Sequence, residues 1–276
     1  MLTIAQLARE IERVLPDIDT DALIPRKRRR VPTVPLATML AAMIWFSACS
    51  LTRWNRYVCL LLPIHLSLHS LSYSRWSFWR SELAPLVEEL TARMCIKEAY
   101  RGVALVDSTC LPVCGIQRER DHKCFVKHAS KGHGSLGWFY GFKLHLITSD
   151  TGEILRFWLS TGKTHDTQPL FQYSFLRGLK GLLVGDSGYR VSKDRVVAKD
   201  PELALIARPT KKSKEVPPWD LRNLFQARWR IESTYNELKE NLGLRVSRSC
   251  KCLATFKSTV FSALIAYTVA RRLLPA

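Results

Sequence analysis

A chain of 276 residues with 47% hydrophobic and 24% charged side chains can bury one large core or two modest ones, which sets disorder aside. Its 13 glycines and 13 prolines are scattered without period, so a collagen-like fibre is excluded as well. Lys and Arg number 42 against 24 Asp and Glu, a formal charge of +18 that points to a polyanionic partner.

In chain order, Thr3 and Gln6 make a capping box, after which Ile4, Leu7, Ile11 and Val14 recur at helical spacing until Pro16. A short amphipathic helix is expected there. A basic turn, Pro25 to Arg30, leads into two apolar stretches. The longest apolar run, Pro35 to Leu51, has 17 residues with Thr38, Ser47 and Ser50 inside it and Arg53 and Arg56 straight after. It is too short and too polar for a membrane span and reads as a buried helix. The first fifteen residues alternate charged and apolar, unlike a secretory signal. Ser70 to Met94 is helical again, and Trp54, Trp76 and Trp79 are expected in a core rather than stacked on bases. Residues 1–97 therefore form an all-helical N-terminal region.

From Gly102 the texture changes to short β-rich runs: Gly102–Val106, Trp138–Thr148, Ile154–Ser160, Leu182–Val184 and Leu203–Ala207. Helical patterns separate the later ones, at Asp166–Phe175 and near Val191–Ala198. Three closely linked strands, then helix and strand in alternation, describe an α/β sheet whose first portion is antiparallel. Pro217 and Pro218 open two final helices, the first running to Asn241 and parted from the second at Gly243. From Arg208 to the end there are 14 basic and 5 acidic residues, half of the net charge in a quarter of the length. This region is expected to touch phosphate.

Three carboxylates carry the chemistry. Asp107 ends the run Val103-Ala-Leu-Val-Asp107, and Asp186 ends Leu182-Leu-Val-Gly-Asp186. Both are placed at strand tips, where open α/β sheets bind ligands, although either alone is also an ordinary turn or cap residue. Glu232 lies on the helix after Pro218. At 100° per residue it shares a face with Phe225, Arg228, Asn236 and Lys239, beside an apolar stripe of Leu224, Ile231, Tyr235, Leu238 and Leu242. A solvated face with an Arg228–Glu232 pair has the same pattern. Phosphodiester cleavage, however, calls for hard oxygen ligands flanked by cations.

The strand ending Asp107-Ser108-Thr109, the run Tyr140-Gly-Phe-Lys-Leu-His145, the turn Gly162-Lys-Thr-His165-Asp166 and the phrase Gly185-Asp186-Ser-Gly-Tyr189 together resemble bacterial insertion-sequence transposases of the DDE class. The pattern is closest to the insertion-sequence family numbered 982. Arg228, Glu232 and Lys239 keep the spacing of its C-terminal signature, with Phe225 where that signature has Tyr. The resemblance implies an RNase H-like mixed sheet core with helices over residues 98–276, and DNA end recognition by residues 1–97. It implies Asp107 bridging two Mg²⁺ ions, replaceable by Mn²⁺, with Asp186 and Glu232 each holding one. Water then cleaves at the element end, and the freed 3′-hydroxyl attacks target DNA with no covalent protein intermediate. It further implies double-stranded DNA at element ends and target as partner, a homo-oligomer on DNA, no membrane, and a cytoplasmic, nucleoid-associated location. The 46 positions from Asp186 to Glu232 leave no room for an inserted domain.

Cys110, Cys114, His122, Cys124, His128 and His133 crowd one stretch, but at spacings unlike paired zinc ligands. The preferred reading is a mobile basic loop with Arg118, Arg120 and Lys123 on DNA, and structural zinc is the alternative. The eight cysteines read as reduced cytosolic thiols. Asp166 is expected to cap the helix after it. Lys143 and His145 share one strand face, either solvated or against DNA, and Lys143 is counted with Arg228 and Lys239 among the DNA contacts. Two other functions remain open: a non-catalytic DNA-binding protein, zinc-stabilised or degenerate, and an RNase H-like nuclease without strand transfer.

Overall fold

The computed structural model describes residues 2–24, 34–49, 72–95, 100–135, 137–191, 202–209, 219–244, 250 and 252–273, and carries helices first and a mixed sheet second. Two units divide the chain: Met1–Met94 with Glu237–Ala276, and Cys95–Asn236. The turn at Pro25–Arg30, Trp54, the pattern near Val191–Ala198 beyond Val191 itself, and the Pro217–Pro218 pair lie outside the described residues.

In the first unit, helix α1 (Ile4–Val14) starts at the expected box: Thr3 Oγ1 accepts from the Gln6 amide, and Gln6 Oε1 accepts from the Thr3 amide. Helix α2 (Leu36–Ala48) is apolar all round and accordingly buried, with Leu40, Ala41, Ala42 and Ile44 fully enclosed. Ser72 caps α3 (Tyr73–Glu82), and α4 (Ala84–Met94) follows. Trp76 is a core residue, 2% exposed and edge-on to Phe46.

The last helix, Leu253–Leu273, belongs to this unit and not, as the 98–276 boundary has it, with the sheet. Its composition explains why. Phe256, Val260, Phe261, Leu264, Ile265 and Val269 bury residues on every side, and α2 and α4 supply the cover. Arg80 reaches Thr259, Lys257 pairs with Glu88 at 2.9 Å, and Arg272 donates to the Met94 carbonyl. By length and hydropathy this helix could cross a membrane, yet 72% of its apolar 18-residue stretch is buried inside the protein, as suits a core helix.

In the second unit, strands β1 (Val103–Cys114), β2 (Ser130–Gly134), β3 (Gly137–Ser149), β4 (Ile154–Thr161), β5 (Gly181–Gly185) and β6 (Leu203–Ala207) form one sheet. One edge of β3 pairs antiparallel with β1; its other edge is shared by β2 and β4. β5 and β6 add in parallel on the far side of β1. This is the α/β mixed sheet with the antiparallel start that the sequence implies. Two strands differ from expectation. β2 falls in the segment read as loop, because its short Ser-Lys-Gly-His-Gly run has no apolar alternation. β1 runs seven residues past Asp107, so Asp107 is inside a strand and not at its tip. What ends near Asp107 is the parallel pairing, which stops at Leu105↔Val184 while β3 continues alongside.

The helix expected over Pro218–Asn241 is broken at Arg228 into α5 (Trp219–Ala227) and α6 (Trp229–Glu240). Helical hydrogen bonding restarts there, the Ile231 and Glu232 amides both turning back to the Arg228 carbonyl. The expected break at Gly243 is present, at φ +71°, and the Leu244 amide closes on the Leu238 carbonyl, a left-handed cap that suits glycine.

Lys143 and His145 do share a face of β3, but it is buried: 6% and 0% exposed. His145 Nε2 meets Ser160 Oγ at 2.8 Å, and burial pushes the imidazole down to about 4. The unfolded chain therefore binds a proton that the fold refuses between about pH 6.5 and 4, so stability falls as the solution is acidified through that window. His145→Leu is expected to remove about 2–3 kcal/mol of acid sensitivity, seen as a flatter dependence of unfolding free energy on pH between 6.5 and 4.

Candidate active site

Extending the Leu105↔Val184 register by two residues sets Asp107 opposite Asp186. β5 ends at Gly185, so Asp186 begins a turn: its Oδ1 accepts from the Gly188 amide at 2.8 Å. Asp186 is thus both a turn cap and a neighbour of Asp107. On β1, beyond the parallel pairing, the Ser108 amide bonds instead to Asp107 Oδ1 at 2.9 Å.

Glu232 arrives from α6, whose apolar stripe is buried as expected: Ile231 0%, Tyr235 5% and Leu238 0% exposed. The sequence did not reveal that Tyr235 is also a polar anchor. Its hydroxyl lies 2.8 Å from the Asp107 carbonyl and 3.1 Å from that of Leu144, fastening α6 across β1 and β3. Burial raises this phenol well above its ordinary range, so it remains a donor. The available signal was a tyrosine at a position where leucine would have served packing alone.

Arg228, at the break between α5 and α6, places Nη2 3.9 Å from Asp107 Oδ2 and 3.9 Å from Glu232 Oε1. Its side chain is only 12% exposed. Burial pushes the Asp107 carboxyl up to about 6; the Ser108 amide and Arg228 hold it down, and the nearby charges of Asp186 and Glu232 raise it further.

Asp107 therefore feels the charges of both Asp186 and Glu232. The three are not drawn together around a point: among the described residues, no three His, Cys, Asp or Glu side chains are placed to share a metal ion. Their chemistry nonetheless fits a hard divalent cation. The donors are carboxylate oxygens, and a buried carboxyl whose ionisation is opposed by two neighbouring acids has negative charge to be offset.

On the other face of β1, Ser108 Oγ donates to Asp166 Oδ1 at 2.7 Å, and Lys143 Nζ pairs with the same oxygen at 2.9 Å. Asp166 is not a helix cap: the short helices Gln168–Phe171 and Tyr173–Leu176 have no side-chain cap bond. Burial alone would raise Asp166, but the bonds from Lys143 and Ser108 outweigh it and hold the carboxyl below its usual range. Lys143, buried and committed to Asp166, is corrected as a DNA contact.

Arg118, Arg120 and Lys123 are exposed on the loop after β1, as expected, but this loop is anchored by Phe125, 1% exposed and packed edge-on to Phe142. His122 stacks on Phe125. No disulfide links the described cysteines. Lys239 occupies the last turn of α6, half-buried. Trp229, which no sequence motif marks, is 53% exposed beside Arg228, with the Arg230 guanidinium 4.1 Å above its ring.

Residues 97–252 match the family model described as Transposase DDE domain. No curated protein matches the chain. Among solved structures, the fold is similar to the piggyBac transposase in the cryo-EM structure of its synaptic complex with hairpin DNA, at 9% identity and a TM-score of 0.53 over 98% of this chain and 72% of that one.

Two outcomes are expected from this geometry. Tyr235→Phe removes the hydroxyl's hydrogen bond into the strand backbone and should cost about 1–2 kcal/mol in denaturant unfolding. Asp107 has a folded pKa above its unfolded one, so it weakens the fold as pH rises from about 4 to 6 and the carboxyl charges. Asp107→Asn should therefore stabilise the metal-free protein by about 1–3 kcal/mol at pH 7.5, the gain vanishing below about pH 4.

Proposed function

Because the chain belongs to the DDE transposase family, we propose that it cuts DNA at the ends of a mobile element and joins the freed ends to target DNA, with Asp107, Asp186 and Glu232 as its catalytic carboxylates. The observation that supports this reading is that Asp107 stands opposite Asp186 where the parallel part of a mixed sheet ends, with Arg228 3.9 Å from both Asp107 and Glu232. The motif phrases around Asp107, Asp186 and Glu232 support membership of the insertion-sequence family numbered 982, hence a bacterial, nucleoid-associated enzyme.

Asp107, Asp186 and Glu232 would hold two Mg²⁺ ions, which when bound supply Lewis-acid activation of the attacking oxygen and of the scissile phosphate. The remaining work belongs to the chain. The Ser108 amide fixes one oxygen of Asp107, and Tyr235 fixes the strand beneath it and the helix that brings Glu232. Arg228 neutralises the acids before DNA arrives and is within reach of a backbone phosphate once their charge is met otherwise. Arg118, Arg120, Lys123 and Lys239 hold the flanking duplex by its phosphates, a sequence-independent grip suited to a protein of net charge +18. Two ends must be brought together for joining, so a homo-oligomer on DNA is proposed, in keeping with the synaptic complex formed by the structurally similar transposase.

Asp186→Ala should abolish Mg²⁺-dependent nicking of a labelled element end while leaving DNA affinity within about twofold; cleavage at the wild-type rate would refute the assignment. The same labelled ends distinguish a transposase from a nuclease, since only the former yields joined target products. Neutralising Arg118, Arg120 and Lys123 together should reduce the slope of log affinity against log salt by roughly 2–3, given a loss of about 0.9 per phosphate contact. An unchanged slope would place that loop away from DNA.

A further inference from the structure

Asp166 has no place in the three-carboxylate scheme, yet it receives two hydrogen bonds from side chains far away in sequence, both on a single oxygen. Burying a lysine is costly unless its charge is met, and Lys143 is 6% exposed. The pair Lys143–Asp166 joins this buried ammonium to a carboxylate that is itself 36% exposed, so its fixed end is the lysine, which has to keep a counter-charge. Attached to the pair is Ser108, whose hydroxyl donates to Asp166 Oδ1 while its own amide donates to Asp107 Oδ1.

Alternation along β1 sends the Asp107 and Ser108 side chains to opposite faces of the sheet. The Ser108 backbone is thus a lever: held by Lys143 and Asp166 on one face, it sets the height of the Asp107 carboxyl on the other. The lever sits where β1 has lost its parallel neighbour, since β5 has ended, so no ladder bond from that side performs the task. Tyr189, 1% exposed, closes the same face and lies within electrostatic reach of Asp107, Asp166 and Asp186.

We propose that Asp166, with Lys143 as its buried counter-ion and Ser108 as the link, is a positioning residue that presets the Asp107 carboxyl for divalent metal. This rests on the assignment of Asp107 as a metal ligand. The role requires placement and not merely folding, so removing the network should weaken metal binding even where stability is preserved.

The test is an Mn²⁺ titration of the purified full chain without DNA, read by the rise in thermal unfolding temperature. Lys143→Met combined with Asp166→Ala removes both charges together and leaves no buried ion unpaired; Ser108→Ala cuts the link alone and spares the ion pair. Each is expected to shift the Mn²⁺ midpoint upward, about tenfold or more for the double variant and severalfold for Ser108→Ala, the usual scale for loss of a group that orients a metal ligand. Asp166→Asn, which keeps an acceptor for Ser108, should recover part of the loss. If the double variant does not fold, Ser108→Ala decides. Wild-type midpoints in Ser108→Ala and in any folded double variant would overturn the proposal while leaving the metal site intact. An Mn²⁺ response that survives Asp107→Asn, or is missing from the wild type, would instead overturn the assignment of Asp107 and the proposal with it.

Discussion

The site depends on one buried hydroxyl. Tyr235, on α6, donates into the backbone of β1 at Asp107 and lies against that of β3 at Leu144, joining the element that carries Arg228 and Glu232 to the strand that carries Asp107. Apolar packing by Ile231 would hold the helix against the sheet but would tolerate sliding along it, since dispersion has little direction. A hydrogen bond from a buried phenol does not tolerate sliding, because leaving that hydroxyl unsatisfied in the interior is expensive. Register between helix and strand is thereby set next to the residue whose carboxyl must be placed.

A second constraint is electrostatic. Asp107 is a buried acid whose proton affinity is raised by its enclosure and by two further acids, so the metal-free site is under charge stress. Arg228 relieves that stress at 3.9 Å from each of two carboxylates, a looser contact than a committed ion pair such as Lys143–Asp166 at 2.9 Å. The contrast separates two kinds of charge in one small region. Lys143 is buried and keeps Asp166 as its close partner. Arg228 is held more loosely, by two contacts at 3.9 Å. Sites that keep such stress trade stability for function, which is why neutralising Asp107 is expected to strengthen the fold.

Much of the fold could be read from the sequence because its signals are local. The capping box at Thr3 and Gln6, the apolar runs of β1, β3, β4, β5 and β6, and the left-handed glycine at position 243 each act within a few residues. The proposed carboxylates rest on signals of the same local kind, each standing in a short phrase of its own. What escaped was long-range. Nothing within a few residues of Lys143 marks it as the partner of Asp166, 23 positions away, and nothing near Tyr235 announces a bond to a carbonyl 128 positions earlier. β2 escaped because Ser-Lys-Gly-His-Gly has no strand propensity and pairs only because β3 offers an edge. Likewise the final helix joins the N-terminal unit because its apolar sides find cover there, a fact of tertiary packing and not of chain order.

The most direct test of the account is the structure of the protein crystallised with Mn²⁺, with the ions located by their anomalous scattering. Two peaks about 4 Å apart are expected, bounded by Asp107, Asp186 and Glu232, with the Arg228 guanidinium withdrawn from the gap between Asp107 and Glu232. Ions bound elsewhere, or Arg228 still seated between the carboxylates with Mn²⁺ at saturation, would contradict it.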